Sequence, residues 1–534
     1  MRLIPDDPFP EVGNPYTTVV SADGRWLAVS CHASGRTGGG RVVVYRTSDL
    51  ALWDQLVLEQ GIEDMVFHPE LPLLAVGTED GDEFERGGGL HLYEPGTRRR
   101  ADAALPDAGV TALRWLDARR LEVTCAEPVV DYEDLGRDAY TRRVVERDDW
   151  ASATGPDTDA SAALDALVAG ERVPVDIDWE RAERPDITRP RRYLAALAAE
   201  RGRAWTGRAG VAVVHALRDG RVLTAAQGGT LLECWSPDGR PLWSVPAPED
   251  TFQRSGCRLY VTPDEETVWI TVLVGTSDNR TTLLRRFALA DGAHLAELTF
   301  PFPVALASRT DGAWIARDSR ELFPGPRWPP YESVVLTPSG KRLGTLSLGE
   351  SDSTYDFQVR RSPHLLLLQG AGAEDTRTEL LEKWVVRVAP DGAERLFPYA
   401  WGDAAVGPVG RFLRSGPAVY VEDDTAGLVH ACTDGLDGFL LRRAFPGGEV
   451  VWAHRLPARV TGVDTHAGLV HAVTAAGQEG NGELLTFRAD DGEILRRVAT
   501  AVGGHVFTPT CLSVSDSGAL VIGTVEGRVL STRV

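Results

Sequence analysis

Lysine is almost absent from this chain of 534 residues: Lys341 and Lys383 are the only two, and arginine supplies nearly all of the positive charge. With 56 basic against 77 acidic side chains, the formal net charge is −21. No basic stripe survives that balance, which argues against a nucleic-acid partner, because binding the phosphate backbone requires a concentrated positive surface. The short runs Arg98-Arg99-Arg100 and Arg189-Pro190-Arg191-Arg192 read as solvated surface. There is no apolar run long enough to span a bilayer. The opening MRLIPDDPFPEVGNPY has two early aspartates and four prolines where a secretory leader would have a basic and then an apolar stretch. A cytoplasmic protein without a membrane partner is therefore expected. The six cysteines are widely separated and form no C-x-x-C pair, so buried thiols are expected in place of disulfides or a zinc site.

Glycine is plentiful, with 55 residues, and it falls in a pattern. A polar turn followed by a short apolar run occurs ten times: SADGRWLAV (21), HPELPLLAV (68), WLDARRLEV (115), LRDGRVLTA (217), TPDEETVWI (262), SRTDGAWIA (308), RRSPHLLLL (360), EDDTAGLVHA (422), DTHAGLVHA (464) and SDSGALVIG (515). The starts are 47, 47, 102, 45, 46, 52, 62, 42 and 51 residues apart. A second turn follows later in most units, at Pro95-Gly96, Asp238-Gly239, Asp291-Gly292, Ser339-Gly340, Asp391-Gly392, Gly447-Gly448 and Asp491-Gly492. Asp-Gly and Ser-Gly supply the positive φ that tight hairpins need. Each unit therefore reads as four antiparallel strands. A small twisted sheet of this kind cannot bury both faces alone and must pack against like neighbours, as the blades of a β-propeller do.

The fold class predicted is all-β, a propeller of about ten four-stranded units in one large ring or two. The last unit holds three strand-like runs, and Arg2-Leu3-Ile4 is an orphan run at the start, so the first run is expected to complete the last blade and leave no open edge. Residues 1–150 make blades 1–3, residues 207–534 make blades 4–10, and residues 151–206 form a helical insertion that explains the gap of 102. Helical starts are expected at Asp159 and at Thr188 with Pro190, with Leu164, Leu167, Leu194 and Leu197 on the apolar faces. The insertion is expected to serve partner binding more than stability.

Units such as GRVLTAAQGGTLLECWSPDGRPLWSVP (220–246) and GLVHACTDGLDGFLLRRAFPGGEVVWAHRLP (427–457) resemble the blades of the WD40-like and quinoprotein-like propeller superfamily, with Gly and then Trp around the last turn at Gly239 and Trp243 or Gly448 and Trp452. The resemblance implies a fold and no particular partner. No unit has the Gly-His opening and Trp-Asp close of a true WD40 repeat, and Trp53-Asp54 falls one strand late.

The long connections all belong to one face of such a ring, so that face is the candidate binding surface. The loop TEDGDEFE gathers Glu79, Asp80, Asp82, Glu83 and Glu85, and DYEDLGRD adds Asp131, Glu133, Asp134 and Asp138. Their spacing matches no calcium loop, and the reading is solvated acidic surface with no metal and no cofactor. Phe323, Trp328 and Tyr331 lie on the proline-stiffened stretch FPGPRWPPY, where ordered aromatics could anchor a protein partner. No G-x-S-x-G elbow or H-E-x-x-H pattern is present. A monomeric, non-catalytic interaction scaffold is therefore expected; the alternative is a propeller enzyme or small-ligand binder with a carboxylate-lined axial site.

Overall fold

The computed structural model describes residues 1–5, 7–32, 39–58, 60–80, 87–105, 107–128, 139–155, 164, 171, 173–175, 188–228, 230–248, 257–276, 279–300, 304–318, 332–347, 357–369, 384–389, 392–399, 414–422, 425–433, 437–475 and 482–534. Ten blade sheets stand in chain order, at residues 15–58, 61–105, 109–175, 211–246, 259–300, 304–347, 366–398, 414–456, 460–499 and 509–533, here numbered blades 1 to 10. Nine of the ten polar turns found in the sequence lead into the second strand of a blade; the turn at 360 leads into Leu366–Gln369, the first strand of the three-stranded blade 7. The protein is an all-β propeller.

Residues 7–207 form one compact unit, and residues 1–6 with 208–534 form another. In the larger unit, seven blades make a closed cycle of apolar interfaces. Leu223, Leu232 and Cys234 of blade 4 meet Val268 and Ile270 of blade 5. Trp269 and Leu284 of blade 5 meet Leu306 and Trp314 of blade 6, and Ile315 there meets Leu367 and Val386 of blade 7. Leu366 and Val385 face Ala418 and Phe439 of blade 8, whose Val419 and Leu440 face Val463 and Val470 of blade 9. Val473 and Leu484 pack on Leu512 and Leu520 of blade 10. Val521 and Val529 of blade 10 then meet Val214, Val222 and Trp235 of blade 4, which closes the ring.

The seam is sewn by the start of the chain. Arg2–Ile4 pairs antiparallel with the last strand, Val529–Arg533, in the register Arg2 to Ser531 and Ile4 to Val529. Ile4 is fully buried in the blade 10 to blade 4 interface, and the Arg2 guanidinium donates to the Pro237 carbonyl of blade 4. The smaller unit thus enters the chain between the latch strand and Val211–Ala216, the innermost strand of blade 4.

A recurring contact joins neighbouring blades at their outer edge. The turn glycine of one blade sits beneath a ring from the preceding blade: Gly292 under Trp243, Gly340 under Trp269, Gly448 under Phe397 and Gly492 under Trp452. The tryptophan indoles also donate to backbone carbonyls of the blade they cover, Trp243 to Leu289, Trp269 to Pro338 and Trp452 to Ala489. Gly492 has φ +75°, and a Cβ there would lie 2.7 Å from the Trp452 ring. Gly492→Ala combines left-handed strain with a clash, each worth on the order of 1 kcal/mol or more. Its thermal midpoint should fall by several degrees, whereas Gly96→Ala, where a Cβ meets nothing within 4 Å, should leave it almost unchanged.

In the smaller unit, blades 1, 2 and 3 form an open series. Trp26 and Val42 of blade 1 pack on Met65 and Val76 of blade 2, and Leu90 and Leu92 of blade 2 pack on Leu121 and Val123 of blade 3. An open series has two terminal faces that must be finished differently. On blade 1, Leu27, Val29, Val43 and Tyr45 are covered by Phe9, Val12, Trp205 and one helix, α1 (Thr188–Ala199), through Leu194 and Ala198. The far face of blade 3 instead carries Arg114 and Arg142, both paired with Glu122 at 2.8 and 3.2 Å, and Val144 is 47 % exposed.

The insertion departs from the sequence expectation here. Val173–Val175 is the fourth strand of blade 3, paired with Tyr140 to Arg142. Leu164 is buried between blades 2 and 3, and Leu194 is buried against blade 1. Leu164 thus fills an interface between blades and Leu194 covers the bare face of blade 1, so both side chains belong to the core of their own unit. Leu167 lies outside the described residues. No helix among the described residues is long and apolar enough to cross a membrane.

Candidate functional site

Polar side chains of the larger unit converge where the innermost strands meet their tight turns. The cause is a break in blade 7. Val359–Arg360, the run expected to open that blade, instead pairs in parallel with the inner strand of blade 8, Val359 to Ala418 and Arg360 to Val419. Arg361 then adopts φ +57°, a left-handed conformation that costs a non-glycine residue about 1 kcal/mol, and Ser362-Pro363 returns the chain to its blade. Two consecutive arginines are thereby directed away from their own sheet and toward blades 9, 10 and 4.

Arg360 donates through Nη1 to the Leu512 carbonyl at 2.5 Å and to Asp464 at 3.4 Å, and through Nη2 to the Val214 carbonyl at 3.1 Å. Arg361 donates through Nε to Asp464 at 2.7 Å, through Nη1 to Asp516 at 3.3 Å, and through Nη2 to the Val514 carbonyl. Asp464, at the inner strand of blade 9, also accepts the Val514 amide at 2.8 Å. Burial opposes its charge, but Arg361, Arg360 and these hydrogen bonds outweigh burial and hold the carboxyl below its usual range. The chain of alternating charge continues through Asp516 to Arg218 at 3.4 Å and from Arg218 to Glu265 at 3.7 Å. Glu265 is a second non-glycine residue with left-handed φ, at +56°. Blades 4, 5, 7, 9 and 10 all contribute, which makes this cluster a brace across the ring and over its seam.

Two further inner-strand groups lie in the field of Arg360. Burial and then Arg360 push His215 of blade 4 down to about 3, so its imidazole is neutral at neutral pH. Burial pushes the Tyr260 phenol of blade 5 up, so it remains a hydrogen-bond donor. The Tyr260 ring stacks on Trp314 of blade 6.

The repeated His430 and His471 are both fully buried within their own blades. His430 accepts from Arg443 Nε at 3.3 Å, and His471 Nδ1 lies 3.2 Å from Thr486 Oγ1. Their matching positions follow from the repeat. Blade 2 carries an arrangement with triad-like spacing, in which Asp102 lies 2.6 Å from His91 Nδ1 and Thr78 Oγ1 lies 3.2 Å from His91 Nε2. Thr78 is fully buried and its hydroxyl donates to Gln60 at 2.9 Å, so no substrate reaches it. Its neighbours make this a structural network.

Of the twelve residues singled out on the long loops, Glu79 and Asp80 are described: Glu79 ends the strand Leu74–Glu79, and Asp80 is exposed, its carboxylate accepting the Gly87 amide at 2.9 Å. Asp82, Glu83, Glu85, Asp131, Glu133, Asp134, Asp138, Phe323, Trp328 and Tyr331 lie outside the described residues. Among the described residues no group of three or more metal-ligating side chains comes together. Treatment with EDTA should leave the melting temperature unchanged; a fall of many degrees would reveal a structural metal. Five of the six cysteines are buried and Cys511 is half-buried, and burial pushes the Cys257 thiol up to about 12.

No family model matches the sequence, and no curated protein does. Among solved structures, the chain is similar to one in the mitotic checkpoint complex, at 12 % identity over 60 % of this chain and 86 % of that one, with a TM-score of 0.41. An uncharacterized protein of Listeria monocytogenes EGD-e is similar at 10 % identity over 61 % and 93 %, with a TM-score of 0.36. Streptogramin B lyase is similar at 12 % identity over 61 % and 94 %, with a TM-score of 0.39. At these levels the sheets and interfaces described above carry the fold assignment, and the resemblance to WD40-like propellers stands as one of architecture.

Proposed function

We propose that the protein is a non-catalytic scaffold whose long loops bind another protein, with Phe323, Trp328 and Tyr331 of the larger unit as anchors and, on the smaller unit taken by itself, the acidic loops at 79–85 and 131–138 as a polar binding surface. The observation that carries this reading is the commitment of Asp464: two guanidinium groups and one backbone amide already occupy the inner-strand carboxylate of the brace. A hydrolytic propeller needs a free carboxylate or an acid–base pair at that place. What weighs against the alternative of a carboxylate-lined axial site is that Asp464 is held between Arg360 and Arg361.

The test pairs binding with turnover. A partner captured by the wild-type protein should be lost on Trp328→Ala while the melting temperature is kept. Turnover of a panel of lactones and esters that Asp464→Asn abolishes in a still-folded protein would replace the scaffold reading with the enzymatic one.

A further inference from the structure

The smaller unit repeats the acceptor half of the brace without its cations. On the inner strand of blade 2, Asp64 Oδ2 accepts the Leu113 amide of blade 3 at 2.8 Å, and Oδ1 accepts the Met65 amide at 2.8 Å. Asp464 makes the same two contacts, with Val514 of blade 10 at 2.8 Å and with Thr465 at 2.9 Å. Counted from the bulge in each inner strand, Asp64 is the first paired residue and Asp464 the third, so both carboxylates leave the same face of their sheets. Leu113 holds in blade 3 the place of Leu512 in blade 10, second after the bulge, and the Leu512 carbonyl accepts Arg360. The N–H and C=O of one strand residue leave on the same side. Leu113 sends its N–H to Asp64, so its carbonyl faces that inner edge as well.

What differs is the occupant. Asp464 is paired with Arg360 and Arg361, whereas no cationic side chain among the described residues pairs with Asp64. Burial outweighs the two backbone hydrogen bonds there and pushes the Asp64 carboxyl up, the reverse of Asp464. The two arginines reach Asp464 by way of an added strand, Val359–Arg360, which lies in parallel on the inner edge of blade 8, the blade before. In the smaller unit the blade before Asp64 is blade 1. Its inner strand, Pro15–Val20, ends its sheet among the described residues, with Thr17 and Thr18 half-buried. Glu63, the extra residue of the blade 2 bulge, is exposed next to Asp64 in the strand and adds a second negative charge to this edge.

We propose that the inner edge of blades 1 and 2 binds an extended, arginine-bearing segment of a partner protein, whose guanidinium sits on Asp64 and the Leu113 carbonyl. A carboxylate that already accepts backbone amides still accepts guanidinium groups, as Asp464 does from Arg360 and Arg361. A guanidinium spans a carboxylate and a carbonyl at once, which the point charge of an ammonium does less well. The free edge of a sheet holds the rest of such a segment through backbone hydrogen bonds. The site lies on inner strands and does not rest on the loop binding proposed above, so Trp328→Ala leaves it intact.

The probe is the chain's own added strand as a capped, fluorescent peptide, FQVRRSPH (357–364), titrated with the full chain at pH 7 and followed by anisotropy. Saturable binding is expected. Asp64→Asn, whose amide oxygen still accepts from Leu113, should weaken it at least about tenfold while the melting temperature is kept. Replacing both arginines of the peptide by lysine should weaken it about three- to tenfold with the protein itself untouched, which keeps the test decisive if Asp64→Asn loosens the unit. N-acetylarginine amide, which lacks the backbone of a strand, should compete only at concentrations at least about tenfold higher. Binding that does not saturate, that Asp64→Asn and the lysine peptide leave unchanged, or that N-acetylarginine amide matches would overturn the proposal.

Discussion

Removal of residues 1–5 should open the seven-bladed ring. The truncation deletes the outer strand of blade 10 and takes Ile4 out of the apolar interface that links blade 10 to blade 4. Losing a fully buried isoleucine costs about 2–3 kcal/mol. The lost strand pairing and the Arg2 contact to Pro237 bring the total to about 5 kcal/mol. The last strand, Val529–Arg533, would then present an unpaired edge, which invites strand addition from another molecule. Thermal melting should drop by ten degrees or more, and size-exclusion chromatography should show higher species. A truncated protein that stays monomeric with an unchanged melting curve would show that the seam is held elsewhere.

Asp464→Ala should be the most damaging single substitution in the brace. It leaves Arg360 and Arg361 half-buried without their shared carboxylate, and breaking a buried ion pair by removing one partner costs about 3–5 kcal/mol. Acid should reproduce part of this. The Asp464 carboxyl titrates near about 3.9 when unfolded and lower in the ring, so its contribution is complete above that value and is lost as the pH falls through the native one. The neutral histidines act over an earlier window. Burial holds His215 near about 3 and His471 near about 4, and it holds His430 well below the usual range. The unfolded chain takes up these protons from about pH 6.5 downward, before the folded chain does. Stability should therefore be flat above pH 7, decline between about 6.5 and 4 through the histidines, and decline again below 4 through Asp464. Denaturant unfolding measured across that range should show the lower step missing in Asp464→Asn and the upper step retained.

Much of this architecture can be read from the chain, because turns and alternation are local properties. Nine of the ten hairpins expected at the polar turns form, at positions such as Asp23-Gly24 and Asp219-Gly220, and the latch follows from a last unit one strand short. The division into seven blades and three is harder, since it depends on which apolar faces meet. One signal for it lies in blade 3, where Leu121, Val123 and Cys125 alternate with Glu122 and Thr124, whereas blade 4 reads Val222-Leu223-Thr224-Ala225-Ala226 with little polar relief. A blade with one polar face has no neighbour on that side. The helix at 188–199 is legible from Thr188 and Pro190, but its target is not, because amphipathic spacing shows that Leu194 is buried without showing against what.

The axial cluster could not be found from motifs. Arg360, Asp464, Asp516 and His215 are brought together from four blades, and RRSPH at 360–364 has the appearance of one more hairpin turn. Its oddity is visible only as two consecutive arginines where the units at 21, 217 and 308 place Asp-Gly. The register shift that sends Arg360 to Val214 and Leu512 is a tertiary outcome. The acidic loops, conspicuous in sequence, are conspicuous because acidic residues are abundant throughout.

The account rests on a seven-bladed ring that closes on itself through the latch, with residues 7–207 forming a separate unit inserted in the chain. The direct measurement is the thermal unfolding of a protein in which residues 1–6 are joined by a short Gly-Ser linker to residues 208–534. Ile4 pairs with Val529, and Arg208 lies against Gly527, so both ends of the excised segment meet the same end of the last strand and a short linker suffices. A monomer with a single cooperative transition and a β-rich circular dichroism spectrum is predicted. An aggregated or non-cooperative product would contradict the closed ring and place blades 1 to 3 within one continuous core.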